Sequence, residues 1–129
     1  MLEILSFPVF FLIICSFYAI CCLGLNIQYG FTGLFNVGIA GFFGVGAYTS
    51  AILSGPRYPD TLIGGFDLPI ILSWLAAIGV SAFSGLLVGF ITLRLREDFL
   101  AISTFGVAIT LQLMALNLES FTRGPNGLY

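Results

Sequence analysis

Four long apolar stretches dominate this sequence, and each holds about 20 residues or more without an internal charge. They cover residues 7–25, 35–53, 68–93 and 99–118. An α-helix rises about 1.5 Å per residue, so about 20 apolar residues cross the roughly 30 Å hydrocarbon core of a bilayer. The pattern therefore predicts an all-α, polytopic helical membrane protein with about four transmembrane helices.

The composition supports a membrane location and excludes several classes of function. The chain is 59% hydrophobic and 8% charged, whereas soluble domains are about 25% charged. Its net charge is -2 and it has no histidine, so no basic surface is available for nucleic acid. No acid pair lies within a span and no nucleophile lies beside a base, so the sequence does not indicate an enzyme.

The three cysteines all lie in the first apolar stretch. They are Cys15, Cys21 and Cys22. Their spacing is not that of a metal site and no histidine is present to complete one. We interpret them as small apolar packing residues, and we expect neither a metal nor a cofactor in this chain.

The connections between the stretches predict how the chain crosses the membrane. Only RLRED separates the third and fourth stretches, which predicts that these two helices form an antiparallel hairpin. Arg94 and Arg96 in this link indicate a cytoplasmic loop under the positive-inside rule, which places the N-terminus outside. Residues 54–67, with Arg57, contain the Gly, Pro and Asp typical of water-facing turns, and residues 122–129 contain Gly, Pro and Asn.

Small residues recur at helical spacing in the two middle stretches. Along the third stretch, every fourth residue is small: Ser73, Ala77, Ser81, Gly85 and Gly89. In the second stretch, one narrow face holds Ala40, Gly44, Ala47 and Ala51. Small side chains let membrane helices approach closely, so we interpret both sets as helix-packing surfaces.

The fourth stretch carries polar residues on two sides. Ser103, Thr110 and Asn117 recur every seven residues, and Gln112 lies nearly opposite them. Interhelical hydrogen bonds of Asn117 and Gln112 are expected ahead of a role in a solute path.

The connection between the first two stretches, NIQYGFTGLFNVG, is uncharged and rich in glycine and amides. It predicts a broken helix from residue 26 to 38. The glycines that permit the break are Gly30, Gly33 and Gly38, and the polar side chains expected to line a solute path are Asn26, Gln28, Thr32 and Asn36. A break inside a membrane needs partners from protein or a water-filled cavity, and Asn36 also suits the N-cap of the following helix.

Two long segments carry a resemblance to a known family. LGLNIQYGFTGLFNVGIAGFFGVGAYTSAIL resembles the amino-terminal part of the permease subunits of branched-chain amino-acid ABC importers, the LivM-type proteins, with their GxGAYT-like motif. LRLREDFLAISTFGVAITLQLMALNLESFTRGPNGL is similar to the same family's Arg-containing loop, apolar span and TGGPNG-like turn. The resemblance extends from about residue 19 to residue 128.

The resemblance implies an importer with several subunits. A second permease subunit would complete the membrane path, two ATPase subunits would use ATP, and an extracytoplasmic solute-binding protein would deliver a branched-chain or other neutral amino acid. This chain has no G-x-x-x-x-G-K-[ST] motif of its own. Full permeases of this type have about twice as many spans, so residues 1–129 are expected to be the N-terminal part of a permease domain in the cytoplasmic (inner) membrane.

Three residues depart from the family pattern and leave the substrate open. They are Ile39 where a histidine is frequent, Glu97 where a glycine is common, and Arg123 in place of the first glycine of a pair. A urea-type permease of the same family is therefore an alternative. Half of a secondary transporter is a second alternative, disfavoured because no Asp or Glu lies within a span, and a purely structural membrane subunit is a third.

Overall fold

The computed structural model describes residues 2–56 and 64–126, and this part of the chain is helical without strands. The helices are α1 (Leu2–Thr32), α2 (Ile39–Ser54), α3 (Ile70–Thr92), α4 (Glu97–Asn117) and the short α5 (Glu119–Thr122), followed by a 3-10 turn at Gly124–Asn126. The predicted all-α fold class is confirmed. Residues 57–63 of the predicted turn, including Arg57, and the last residues of the C-terminal turn lie outside the described residues.

Three of these helices are long and apolar enough to cross a membrane. They are Ser6–Thr32 within α1, Ile70–Thr92 and Glu97–Asn117. Helix α2 has 16 residues and so measures about 24 Å, which is shorter than the hydrocarbon core. The four predicted spans are therefore three membrane-length helices and one shorter apolar helix in the described chain.

Helix α2 lies at the centre of the packing. It contacts α3 and, less extensively, α4, whereas α3 and α4 contact each other at few points. The sequence predicted a hairpin of α3 and α4, but their short link does not make them main packing partners, because α2 packs against both. Helix α2 runs antiparallel to α3, since Leu68 N–H donates to Leu53 O at 3.1 Å and Ser81 Oγ donates to Phe42 O at 3.2 Å.

Two glycines of α2 make its closest helix contacts. A Cβ added at Gly46 would lie 2.6 Å from Ser81 Oγ of α3, and one at Gly41 would lie 3.0 Å from Ala108 Cα of α4. Gly41 and Gly46 lie about 140° apart around a helix. A single narrow face of small residues was predicted, but α2 uses two faces because it has a partner on each side.

The other predicted packing residues have different surroundings. Ser81 lies in the α2–α3 contact as expected, and Ser73 is fully buried. Ala40 and Ala47 are exposed, so no other helix of the described residues covers them. A Cβ at Gly44, Gly85 or Gly89 would meet no atom within 4 Å, so these three glycines make no close helix contact in the described residues.

The polar residues on α4 bond mainly within their own helix. Asn117 Nδ2 donates to Leu113 O at 2.7 Å, and Thr110 Oγ1 donates to Gly106 O at 2.8 Å. Within residues 2–56 and 64–126, Asn117 makes this bond and not the predicted interhelical one. The carbonyl one turn earlier lies within reach and satisfies the side chain before any neighbouring helix does.

The chain turns sharply after α5. Thr122 Oγ1 shares its proton between Leu118 O and Ala115 O, and it accepts a hydrogen bond from Gly124 N–H at 3.2 Å. Arg123 and Gly124 have φ angles of 59° and 55°, in the left-handed region that favours glycine. This is the turn that the sequence predicted at residues 122–129, as far as it is described.

Candidate functional site

The broken segment between α1 and α2 is shorter than predicted. Helix α1 continues through Asn26, Gln28 and Gly30 as far as Thr32, so only residues 33–38 are non-helical. Gly33 ends the helix with a φ of +69°, and its N–H donates to Tyr29 O at 2.8 Å. Gly30 does not break the helix, because a single helical glycine costs only about 1 kcal/mol.

Three of the four predicted polar residues come together at this break. Asn36 Oδ1 accepts a hydrogen bond from Gly38 N–H at 2.8 Å, and its Nδ2 donates to Gln28 Oε1 at 3.4 Å. Thr32 Oγ1 donates to Gln28 O at 2.6 Å and accepts from Leu34 N–H at 3.2 Å. These side chains therefore form hydrogen bonds with one another and with backbone groups at the break.

Asn26 lies apart from this cluster, and Asn36 differs slightly from its predicted role. Asn26 is exposed and lies about 160° around α1 from Gln28. The N-cap of α2 is Gly38, two residues after Asn36, which was predicted at that position. Asn36 nevertheless bonds the N–H of Gly38 in the way that a capping side chain does.

Thr104 of α4 anchors the break, a role that the sequence pattern does not indicate. Its hydroxyl donates to Leu100 O at 2.9 Å and accepts a hydrogen bond from Val37 N–H at 3.2 Å. Thr104 is 2% exposed. Gly38 is buried beside it, where a Cβ would lie 3.4 Å from Thr104 O and 2.9 Å from Asn36 Oδ1. A threonine in a membrane helix usually bonds its own backbone, so the sequence holds no signal for this second bond.

The break lies at the end of the bundle that carries the charged link. Leu34 lines a shallow pocket with Arg96, Glu97 and Asp98, and Arg94 and Arg96 are exposed. Thr104 is seven residues past Glu97, so α2 begins about 10 Å beyond the start of α4. The break therefore descends from the charged end of the bundle to a shallow depth.

A cavity of about 700 Å³ lies between α2 and α4. Its wall is mainly apolar, with Val45, Ile52, Ile109, Leu111 and Met114 among the lining residues. Gly44, predicted to be a packing residue, lies in this wall beside open space. No charged residue lines the cavity, so it can accept an apolar group without desolvating a charge.

Four of the lining residues have polar side chains: Tyr48, Thr49, Gln112 and Thr122. Thr49 Oγ1 donates to Val45 O at 2.7 Å, and Thr122 is bonded within the C-terminal turn. Within residues 2–56 and 64–126, neither the Tyr48 hydroxyl nor the Gln112 amide makes a hydrogen bond with protein. The interhelical bond predicted for Gln112 is therefore absent there.

The described residues contain no cluster suited to a metal ion. No group of three or more His, Cys, Asp or Glu side chains converges in that part of the chain. The three cysteines are free, with Cys15 and Cys22 exposed and Cys21 partly exposed. The broken segment and the cavity therefore offer a ligand hydrogen bonds and apolar contacts.

The chain is similar to known transport proteins over most of its length. Residues 7–128 match the family described as the branched-chain amino acid transport system permease component. The chain is 42% identical over 111 residues to the high-affinity branched-chain amino acid transport system permease protein LivM of Salmonella typhimurium, and 40% identical over 111 residues to LivM of Escherichia coli. No solved structure matches.

Each alignment covers 86% of this chain but 24% of the relative, so the chain spans about a quarter of the length of these curated relatives. The predicted resemblance is confirmed by the family match. The membrane-length helices and these relatives agree with the predicted location, a multi-pass protein of the inner membrane. The chain belongs to the permease component family of branched-chain amino acid transport systems.

Proposed function

We propose that this chain forms part of the membrane path of an ATP-driven importer for branched-chain or other neutral amino acids. The observation that carries the proposal is the uncharged, mainly apolar cavity between α2 and α4. A permease must release its solute, and a cavity without charges supports weak, reversible binding. The family match supports the same function.

The broken segment has a positioning role in this proposal. The hydrogen bonds of Gln28, Thr32 and Asn36 join groups within residues 28–38. Thr104 accepts a hydrogen bond from Val37 N–H and so holds the segment against α4. These bonds fix where α2 begins and so set the shape of the cavity. The sequence predicts that these side chains and Asn26 line the solute path; the proposal places the path in the α2–α4 cavity instead.

We propose the remaining subunits from the family resemblance. A second permease subunit would close the path, two ATPase subunits would use the ATP, and an extracytoplasmic binding protein would deliver the solute. With Arg94 and Arg96 on the cytoplasmic side, Gln112 lies about 22 Å from that end of α4, in the outer half of the membrane. The cavity would then be placed where solute arrives from outside.

Uptake by cells tests this function directly. Deletion of the gene for this chain is expected to abolish binding-protein-dependent uptake of labelled leucine, and re-expression is expected to restore it. Uptake should stop when ATP is depleted while ion gradients are maintained. Uptake that follows an ion gradient would favour the secondary-transporter alternative. Unchanged leucine uptake after deletion would contradict the proposal. Uptake of labelled urea tests the urea alternative.

Replacement of Asn36 by leucine tests the positioning role of the break. The change removes the bonds to Gly38 N–H and to Gln28 Oε1, at a cost of about 1 kcal/mol for the lost cap. We expect slower leucine uptake with an unchanged amount of protein in the membrane. Asn26→Leu is the matched control on the other face of α1 and should leave uptake unchanged; equal uptake rates for the two variants would remove the role assigned to Asn36.

A further inference from the structure

We propose that the cavity between α2 and α4 selects the solute: Gln112 and Tyr48 bind the zwitterionic head group of an amino acid, and the apolar wall contacts its branched side chain. This inference rests on the proposed function and adds the residues that determine specificity. It concerns the cavity and not the broken segment, where the polar side chains already have partners.

The hydrogen bonding of polar residues within the helices supports this assignment. Thr49, Thr110 and Asn117 each donate to a carbonyl of their own helix. Within the described chain, the Gln112 amide and the Tyr48 hydroxyl have no such bond, although both line the same apolar cavity. Gln112 is exposed and Tyr48 is partly exposed, so both polar groups are accessible to a ligand, and at membrane depth such groups gain from a polar partner.

Tyr48 and Gln112 lie at a similar depth. Gln112 is 15 residues past Glu97, about 22 Å along α4. Tyr48 is nine residues into α2, which itself begins about 10 Å along α4, so it lies at about the same level. The two polar groups can therefore contact one small molecule.

The chemistry of the cavity matches an amino acid with an aliphatic side chain. An amide offers donors to a carboxylate and an acceptor to an ammonium group, and a tyrosine hydroxyl can do either. The volume of about 700 Å³ falls within the range of small-molecule sites, which are mostly apolar with a few polar groups. A small zwitterion can bond to both polar groups while its aliphatic side chain contacts the apolar wall, so it fits this lining.

Filling the cavity tests its role in selectivity. Gly44→Val, introduced into the native gene, is expected to lower leucine uptake about tenfold relative to valine uptake, because the larger side chain loses space first. Gly106→Val is the matched control, since Gly106 also faces open space but does not line the cavity. An unchanged leucine-to-valine ratio in Gly44→Val would overturn the inference.

Removing the amide tests the polar contact. Gln112→Leu is expected to raise the KM for leucine about tenfold or more, as expected for a lost hydrogen bond to a charged group. Asn117→Leu is the control, because Asn117 bonds its own helix and does not line the cavity. An unchanged KM in Gln112→Leu would overturn the role of Gln112.

A labelling experiment keeps the inference testable if a variant transports too slowly. Gln112→Cys, in a background without Cys15, Cys21 and Cys22, is expected to react with a water-soluble thiol reagent, and leucine is expected to slow that reaction. Lack of reaction, or loss of the second permease subunit on purification of Gly44→Val, would show that a helix fills the cavity. The deletion strain distinguishes the transport function from the proposed solute site. If uptake is lost on deletion but is unaffected by these variants, only the solute site in the cavity is contradicted.

Discussion

Replacement of Gly41 by valine is expected to separate α2 from α4 and to destabilise the folded protein by about 1–3 kcal/mol. A Cβ at this position would lie 3.0 Å from Ala108 Cα and 3.1 Å from Leu111 Cδ1. The first of these atoms belongs to the backbone, so a side-chain rotation cannot relieve the contact. Since α2 also packs against α3, it cannot move away from α4 without disturbing the second interface.

Thermal unfolding of the purified protein in detergent measures this effect. Gly79→Val on α3 is the matched control, because a Cβ there would meet no atom within 4 Å. The control changes the same residue type in a membrane-length helix and should shift the unfolding temperature little. Equal unfolding temperatures for the Gly41 and Gly79 variants would contradict the close contact of α2 with α4.

Replacement of Thr104 by valine is expected to cost about 1–3 kcal/mol and to loosen the broken segment. Valine has nearly the same shape as threonine, so the change removes the hydroxyl without leaving a cavity. Val37 N–H then loses its acceptor in a part-buried position, where water cannot replace it fully. Thr104→Ser retains the hydroxyl and is expected to keep much of the stability.

Amide exchange within residues 33–38, followed by mass spectrometry, reports this change locally. Thr104→Val should speed exchange in this segment, whereas Thr110→Val should not, because Thr110 is exposed and bonds only to Gly106 O within its own helix. Unaltered exchange in Thr104→Val would mean that the hydroxyl does not hold the break. Faster exchange in both variants would point to general destabilisation of α4.

The limits of the broken segment show how much of the backbone conformation can be predicted from local sequence. The sequence predicts Gly33 within the break, and Gly33 ends α1 with a φ of +69°. Gly30 was assigned to the same break but lies within α1. Both are glycines, and composition alone cannot distinguish a glycine that is tolerated inside a helix from one that ends it.

The candidate site was only partly predictable. The polar residues Gln28, Thr32 and Asn36 were recognised, and the structure brings them together. The anchor of the break could not be predicted, because Thr104, which accepts a hydrogen bond from Val37 N–H, lies 67 positions beyond Val37 in the chain. The cavity is likewise formed by two helices that are remote in sequence, so the sequence does not show that Gln112 lines it.

The sequence by itself determined the helical membrane fold and the family, because long uncharged apolar stretches have few other stable forms in a bilayer and the matched motifs are contiguous. Only the tertiary structure decided that α2 packs between α3 and α4, that Gly41 and Gly46 make the close contacts, and that an uncharged cavity remains beside α4. The physical reason is that packing depends on the relative rotation of helices. Small residues permit close approach on any face, and the neighbours present determine which face is used.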